Sequence, residues 1–226
     1  MAELVTLDLG RAAYEPALRL QERLREEVKA APHERAYLIL VEHDPPVITL
    51  GRGADAAHVT ASREHLASEG VEVHESGRGG DVTYHGPGQL VGYPIIRLDL
   101  HGRDVHRYLR DLEEVLIRVL ARFGIEGTRA EGMTGVWVGA EKVAAIGVAI
   151  SRWVTWHGVA INVDTNLDRF DLIVPCGIRG RRVTSLGRLL GRQITVAEVK
   201  PHLVECMVDV FGFDGARPGD VPPPAG

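Results

Sequence analysis

Two residues of this sequence have types and surroundings suited to nucleophilic chemistry, a cysteine and a lysine. Cys176 follows Pro175, which fixes the local backbone, and precedes Gly177, which permits a tight exit. This setting can expose a sulfur as a nucleophile, although a cysteine after an apolar run can equally be a buried, inert thiol. Cys206 lies next to Met207 in a predicted helix and is interpreted as a structural residue.

Lys142 is one of only three lysines among 26 basic residues, and it begins an otherwise apolar segment. Burial in such a strand would lower the pKa of its ammonium group, whereas a nearby thiolate would raise it. A lysine beside Cys176 could activate the thiol by its charge or, when neutral, take a proton. The alternative is an edge lysine whose charged end reaches solvent.

Residues 78–89 form a glycine-rich polar segment, RGGDVTYHGPGQ. Glycine lets the backbone approach a ligand closely, and Arg78, Thr83, His85 and Gln89 supply hydrogen-bond donors and acceptors. The segment is therefore a candidate binding loop, with an ordinary surface turn as the alternative.

This segment matches, without a departure, the signature R-G-G-x-x-T-x-H-x-P-G-Q of the lipoyl(octanoyl) transferases. The stretch GVWVGAEKVAAIGV resembles the lysine segment that these transferases share with lipoate and biotin protein ligases. The setting P-C-G-I of Cys176 is similar to that of the family's acyl-thioester nucleophile. The resemblance covers roughly residues 4–211.

The resemblance implies that Cys176 is the nucleophile and that Lys142 tunes it, while His157 is left as a structural residue. It also implies a set of residues that contact the acyl substrate, in three short segments. These are Arg78, Gly79, Gly80, Asp81, Val82, Thr83, Tyr84 and His85; Ala145, Ile146 and Gly147; and Gly158, Val159 and Ala160. The small residues of the last segment are expected to make room for the chain.

The activity that the resemblance implies is transfer of an octanoyl group from acyl carrier protein to a lysine of a lipoyl domain. The acceptors would be the lipoyl domains of 2-oxoacid dehydrogenases and the glycine cleavage H protein, and no cofactor is implied. Three alternatives remain: an ATP-dependent lipoate or biotin protein ligase; a hydrolase or glutamine amidotransferase pairing Cys176 with His85 or His157; and a non-enzymatic acyl-carrier-binding scaffold.

Composition excludes several other classes. The chain has 226 residues, is 45% hydrophobic and carries a formal charge of −5, which does not favour non-specific nucleic-acid binding. The N-terminus lacks the pattern of a signal peptide, and no apolar run is long enough for a membrane span. Two cysteines are too few for a disulfide framework. We therefore expect a cytoplasmic protein.

Hydrophobic periodicity predicts interspersed strands and helices. The predicted strands are residues 4–9, 36–42, 47–50, 71–75, 90–98, 136–138, 143–150 and 154–163. The predicted helices are residues 14–29, 62–69 and 104–123, with a last one from Thr195 towards Phe211 that Pro201 should kink or restart.

The clustering of strands predicts the α+β (mixed α/β) class, with one mixed β-sheet flanked by helices, and the resemblance implies the biotin/lipoyl protein ligase catalytic fold. We expect one catalytic domain over residues 1–215 and a disordered, proline- and glycine-rich tail over residues 216–226.

Overall fold

The computed structural model describes residues 3–31, 35–174 and 182–222. Its strands are β1 (Leu4–Ala12), β2 (Ala36–His43), β3 (Val47–Leu50), β4 (Glu72–Glu75), β5 (Val82–His85), β6 (Gln89–Ile95), β7 (Val136–Val138), β8 (Glu141–Ser151), β9 (Val154–Asn162) and β10 (Ala216–Pro218). Its α-helices are α1 (Tyr14–Ala30), α2 (Arg63–Ser68), α3 (Val105–Ala121), α4 (Leu186–Leu190) and α5 (Val196–Phe211). The α+β class is confirmed.

A large mixed sheet of seven strands runs in the order β10-β1-β2-β6-β9-β8-β7. β10, β1 and β2 are parallel, and from β2 onwards every neighbour is antiparallel. β8 and β9 form its longest hairpin, which turns at Arg152 and Trp153, both in the left-handed region with φ of 50° and 63°. Two left-handed residues match the twist of the strands that they join.

A second, three-stranded sheet in the order β4-β3-β5 was not predicted as a separate unit. The predicted strands 36–42 and 47–50 are both present, but they belong to different sheets. Residues 78–89 are not one loop, because β5 lies inside them and pairs with β3. The second sheet and α2 enclose their own small core around Ile48, Leu66 and Tyr84.

Helices cover both faces of the large sheet. α1 buries Leu20, Leu24 and Val28 against Ile39 and Val91 on one face. α3 and α5 pack together on the other face and bury a larger set of apolar side chains. No helix of the described part of the chain is long and apolar enough to cross a membrane.

Two expectations about the C-terminal region are wrong. α5 runs unbroken through Pro201, so this proline does not restart the helix, and Thr195 and Glu198 form the expected capping box. The start of the expected disordered tail is a strand, since β10 pairs with β1 and the backbone N–H of Gly219 donates to the Thr6 carbonyl over 2.9 Å. Residues 223–226 lie outside the described residues.

Candidate active site

A cavity lies between the large sheet and the second sheet. It has an empty volume of about 840 Å³ with its open mouth included. β6, β8 and β9 form its floor, β3 and β5 form its roof, and Tyr14 of α1 contributes one wall. Lys142, Phe170 and Val183 line it while remaining partly exposed to solvent, whereas Tyr14 and Tyr93 are buried.

Arg78 joins the glycine-rich segment to the second sheet. Its Nε and Nη2 donate to Thr49 Oγ1 over 3.0 and 2.9 Å, and Nη2 also donates to the Thr49 carbonyl over 2.6 Å. These hydrogen bonds fix the orientation of the Arg78 guanidinium, and only 7% of the residue is exposed. The backbone N–H of Gly79 donates to the Val148 carbonyl over 2.8 Å, which attaches the same segment to β8.

The floor of the cavity is formed by small residues paired across β8 and β9. Ala145 lies opposite Ala160, and Gly147 lies opposite Gly158. A Cβ at Gly158 would lie 2.2 Å from the carbonyl oxygen of Gly92, so this glycine is required by the close approach of β6. Its absent side chain therefore serves strand packing, and the residue also lines the cavity.

Lys142 lies at the open end of the cavity, held from both sides by backbone contacts. Its N–H donates to the Arg182 carbonyl over 3.0 Å, and its carbonyl accepts from the Thr184 N–H over 2.9 Å. Its Nζ lies 4.9 Å from the centre of the Trp137 ring, within the range of a cation–π contact. A Cβ at Gly135 would lie 2.6 Å from Lys142 Cε, so only glycine leaves this path open for the lysine.

Cys176 lies outside the described residues, so its proposed role rests on the sequence. The described chain ends before it at Val174, whose N–H donates to the His58 carbonyl over 2.7 Å, and resumes after it at Arg182. Cys206 is 1% exposed within the core beneath α5, where burial raises the pKa of its thiol. This environment agrees with the structural interpretation of Cys206.

Two histidines line the cavity in neutral form. Burial lowers the pKa of His85 to about 3, and burial together with the charge of Arg78 lowers that of His157 to about 3. Because Gln89 Oε1 can only accept, neutral His85 donates to it from Nδ1 over 2.6 Å. His157 has a left-handed backbone with φ of 55°, and its N–H donates to Gln21 Oε1 over 2.9 Å. We expected His157 to be purely structural, whereas its ring borders the cavity.

Most of the predicted contact residues line this cavity, and two of them do not. Asp81 points away and forms an ion pair with His58, with Oδ2 and Nδ1 2.6 Å apart. Tyr84 is buried in the core of the second sheet against Phe170. The structure thus places neither in the lining of the cavity, and the alternation of side chains along β5 explains why Tyr84 faces away from its neighbour Thr83.

Residues that were not predicted as site residues also line the cavity. These are Tyr14, Thr49, Gln89, Val91, Tyr93, Ala144, Asn162, Phe170 and Val183. Only Gln89 carried a sequence signal, as the last residue of the motif. Within residues 3–31, 35–174 and 182–222, no group of three or more His, Cys, Asp or Glu side chains is placed to hold a metal ion.

Solved structures with the same fold are lipoate and biotin protein ligases. A lipoate-protein ligase A bound with ATP has a TM-score of 0.80 at 16% identity, covering 97% of this chain and 89% of that one. A bipartite lipoate protein ligase from Thermoplasma acidophilum has a TM-score of 0.76 at 16% identity, covering 97% and 88%. These likenesses confirm the expected fold.

Curated relatives are much closer in sequence. An octanoyltransferase of Chloroflexus aurantiacus is 51% identical over 95% of this chain and 96% of its own length. An octanoyltransferase of Rubrobacter xylanophilus is 56% identical over 79% of this chain and 80% of its own length. One from Myxococcus xanthus is 50% identical over 99% of this chain, which spans 63% of that relative's length.

The match to a family model agrees with the cavity and the motifs that line it. The model of the lipoyl protein ligase A/B catalytic domain matches residues 13–208, a range that includes both sheets' cavity-lining strands, Lys142 and Cys176. With half of its residues identical to relatives matched almost from end to end, the chain belongs to the lipoyl protein ligase A/B catalytic domain family.

Proposed function

We propose that this protein is an octanoyltransferase that moves an octanoyl group from acyl carrier protein to a lysine of a lipoyl domain. The observation that carries the proposal is the identity of about half of its residues with curated octanoyltransferases over 95% or more of the chain. The acceptors would be the lipoyl domains of 2-oxoacid dehydrogenases and the glycine cleavage H protein. The reaction is the first step of endogenous protein lipoylation.

The cavity has the surface that a medium-length acyl chain requires. Ala145 and Ala160 present aliphatic surface along its floor, and Val91 extends it onto β6. Each CH₂ buried on such surface contributes about 0.8 kcal/mol to binding. The imidazole of His85 adds no charge at neutral pH, because its pKa is lowered to about 3. An uncharged acyl chain is therefore the ligand class that this lining favours.

The chemistry requires two acyl transfers. The thiolate of Cys176 attacks the thioester carbonyl, a new carbon–sulfur bond forms, and the carrier thiolate leaves and takes up a proton. A thiol with a pKa of about 8.5 is only ~3% ionised at pH 7. The positive charge of Lys142 would lower this pKa, and a shift of two units corresponds to about 2.7 kcal/mol.

In the second transfer the acceptor amine attacks the acyl-enzyme. An amine with a pKa of about 10.4 is unprotonated at pH 7 in only about one molecule in 2,500, so a base must take its proton as the bond forms. Lys142 in its neutral form is the candidate base, and the thiolate of Cys176 is the leaving group. Exchange of a thioester for an amide is strongly downhill, so this route requires no ATP.

An ATP-dependent lipoate or biotin protein ligase is the competing function, because proteins with those names share the fold. Such an enzyme would use Lys142 next to an acyl-adenylate and would have no need of Cys176.

The test supplies purified enzyme and a lipoyl domain with either octanoyl-acyl carrier protein or free octanoate plus ATP and Mg²⁺. We expect mass spectrometry to show octanoylation of the domain from the carrier without ATP. Modification only from free octanoate with ATP would contradict the proposal. Release of free octanoate without an acceptor would instead indicate a hydrolase.

A further inference from the structure

A series of hydrogen bonds among residues that line the cavity leads from His85, in the glycine-rich segment, to the backbone of Lys142. His85 Nδ1 donates to Gln89 Oε1, and Gln89 Nε2 donates to Asn162 Oδ1 over 2.9 Å. Asn162 Nδ2 then donates to the Thr184 carbonyl over 3.0 Å, and the Thr184 N–H donates to the Lys142 carbonyl over 2.9 Å. Because an amide oxygen can only accept and an amide nitrogen can only donate, the two side-chain amides fix the direction of the whole series.

Asn162 is the only side chain in this series that contacts residues 182–184 directly, among the hydrogen bonds of the described residues. It is the last residue of β9, is 5% exposed, and lies in the wall of the cavity. Its partner Gln89 is 2% exposed and also donates to the Tyr84 carbonyl over 3.2 Å. The side-chain amide of Asn162 therefore accepts a hydrogen bond from Gln89 in the large sheet and donates one to the carbonyl of Thr184.

Residues 182–184 form a short segment that belongs to no helix or strand. They lie beside β8 through a single bridge, in which Val183 is parallel to Lys142. Two backbone hydrogen bonds join this segment to Lys142, from the Lys142 N–H to the Arg182 carbonyl and from the Thr184 N–H to the Lys142 carbonyl. Loss of the Asn162 contact would leave the Thr184 carbonyl buried without its side-chain donor.

We infer that Asn162 is a positioning residue for the transfer reaction. It fixes residues 182–184 against the backbone of Lys142 and thereby helps to set the position of the lysine. This inference rests on the proposed function, in which Lys142 lowers the pKa of the Cys176 thiol. Asn162 itself takes no part in bond making.

The test measures the pH dependence of Cys176 alkylation by iodoacetamide in a Cys206→Ser parent, so that a single thiol is followed. Asn162→Leu keeps the branched shape of the side chain, although it is larger, and removes both hydrogen bonds. We expect the alkylation midpoint to rise by about one pH unit, and the alkylation rate at pH 6.5 to fall about tenfold. Asn162→Ser gives the same comparison without adding apolar bulk, in case the leucine variant does not fold.

The matched control is Thr155→Val on the same strand. Thr155 is fully buried, accepts from the Ile96 N–H over 3.0 Å and donates to the Pro94 carbonyl over 2.7 Å, but it does not line the cavity. It should lower the melting temperature without moving the alkylation midpoint. An equal shift in Thr155→Val, or an unchanged midpoint in both Asn162 variants, would overturn the inference.

Hydrogen exchange of the Thr184 amide separates the inference from the function on which it rests. We expect faster exchange at Thr184 in Asn162→Leu and unchanged exchange in Thr155→Val, whether or not Lys142 affects the thiol. If the parent enzyme fails to transfer octanoyl groups, the proposed function is wrong. If exchange at Thr184 is unchanged in Asn162→Leu, the positioning role is wrong.

Discussion

The position of the Lys142 side chain depends on residues that take no part in the proposed reaction. Gly135, with φ of 129°, leaves the space through which the lysine side chain passes. Its N–H donates over 3.2 Å to Oε1 of Glu113, a buried carboxylate of α3 that is also paired with Arg110. Trp137 faces Lys142 from the neighbouring strand, because the two residues are register partners. Glu113 of α3, Gly135 and the Trp137 ring of β7 together determine the position of the Lys142 side chain.

Two substitutions of Lys142 separate its two proposed roles. Lys142→Arg keeps a positive charge but cannot lose its proton at any accessible pH, whereas Lys142→Met loses both functions. We expect the arginine variant to retain appreciable self-acylation and to transfer the acyl group to a lipoyl domain at least ~10²-fold more slowly. We expect the methionine variant to retain little of either step. Single-turnover measurements of the two half-reactions in each variant supply the comparison.

Steric misfit of the planar guanidinium could slow self-acylation by itself. The ratio of the two half-reactions within one variant is therefore the informative quantity. A Lys142→Arg enzyme that self-acylates slowly but transfers at the wild-type rate would contradict the general-base role and leave only the charge effect.

For individual residues, the sequence predicted which segments would line the cavity but not which of their side chains would face it. The motif residues Arg78, Thr83 and His85 line the cavity as expected. Tyr84 does not, because a motif does not encode which face of β5 lines the cavity, and Asp81 precedes β5 and contacts His58 instead. Asn162 gave no signal, because its role depends on a partner 22 positions away.

At the scale of elements, β10 changes the expectation for the C-terminal segment. β10 extends the large sheet beyond β1, and a Cβ at Gly219 would lie 2.5 Å from Val5, which shows how closely this segment packs. Truncation after Gly215 removes these contacts and leaves β1 as an open edge. We expect the free energy of unfolding to fall by about 2 kcal/mol, on the scale of two backbone hydrogen bonds.

Urea unfolding of the truncated protein measures this loss. Truncation after Pro222 is the matched control, since the described contacts end before that point. It should leave the unfolding midpoint unchanged. Equal stability of the protein truncated after Gly215 would show that β10 contributes nothing to the fold.

The periodicity of the sequence predicted most elements within a few residues, including α1, α3 and the β8–β9 hairpin. These succeed because amphipathic patterns are local. The separation into two sheets was missed, because β2 and β3 are adjacent in sequence and only long-range pairing assigns them to different sheets. Pro201 was misjudged for a related reason, since packing of α5 on α3 outweighs the local preference of one residue.

At the scale of the whole molecule, three buried histidines should make stability depend on pH. Burial lowers the pKa of His43 to about 4 and that of His85 and His157 to about 3. The unfolded chain, with a histidine pKa of about 6.5, takes up these protons first, so the stabilisation is present above that pH and is lost as pH falls towards 4.

Each such histidine contributes a slope of about 1.4 kcal/mol per pH unit over that range. His43→Gln should therefore unfold with a shallower pH dependence between pH 6 and pH 4.5, by about one such increment. Urea unfolding at several pH values supplies the test. A slope identical to that of the wild-type protein would show that His43 titrates normally in the folded state.

Charge near the site should help to recruit acidic partners. Arg179, Arg181 and Arg182 follow Cys176 closely in the sequence, and the first two lie outside the described residues. Acyl carrier proteins and lipoyl domains are typically acidic, so replacing all three arginines with glutamate should raise KM and weaken its salt dependence. The chemical step should change less. An unchanged KM at low salt would rule out this docking role.

Intact-mass spectrometry after incubation with octanoyl-acyl carrier protein, in the absence of an acceptor, shows whether Cys176 carries the octanoyl group. We predict one octanoyl equivalent on the wild-type enzyme and on Cys206→Ser, localised to Cys176 by peptide mapping and absent from Cys176→Ser. An adduct that persists in Cys176→Ser, or one that disappears in Cys206→Ser, would contradict the account.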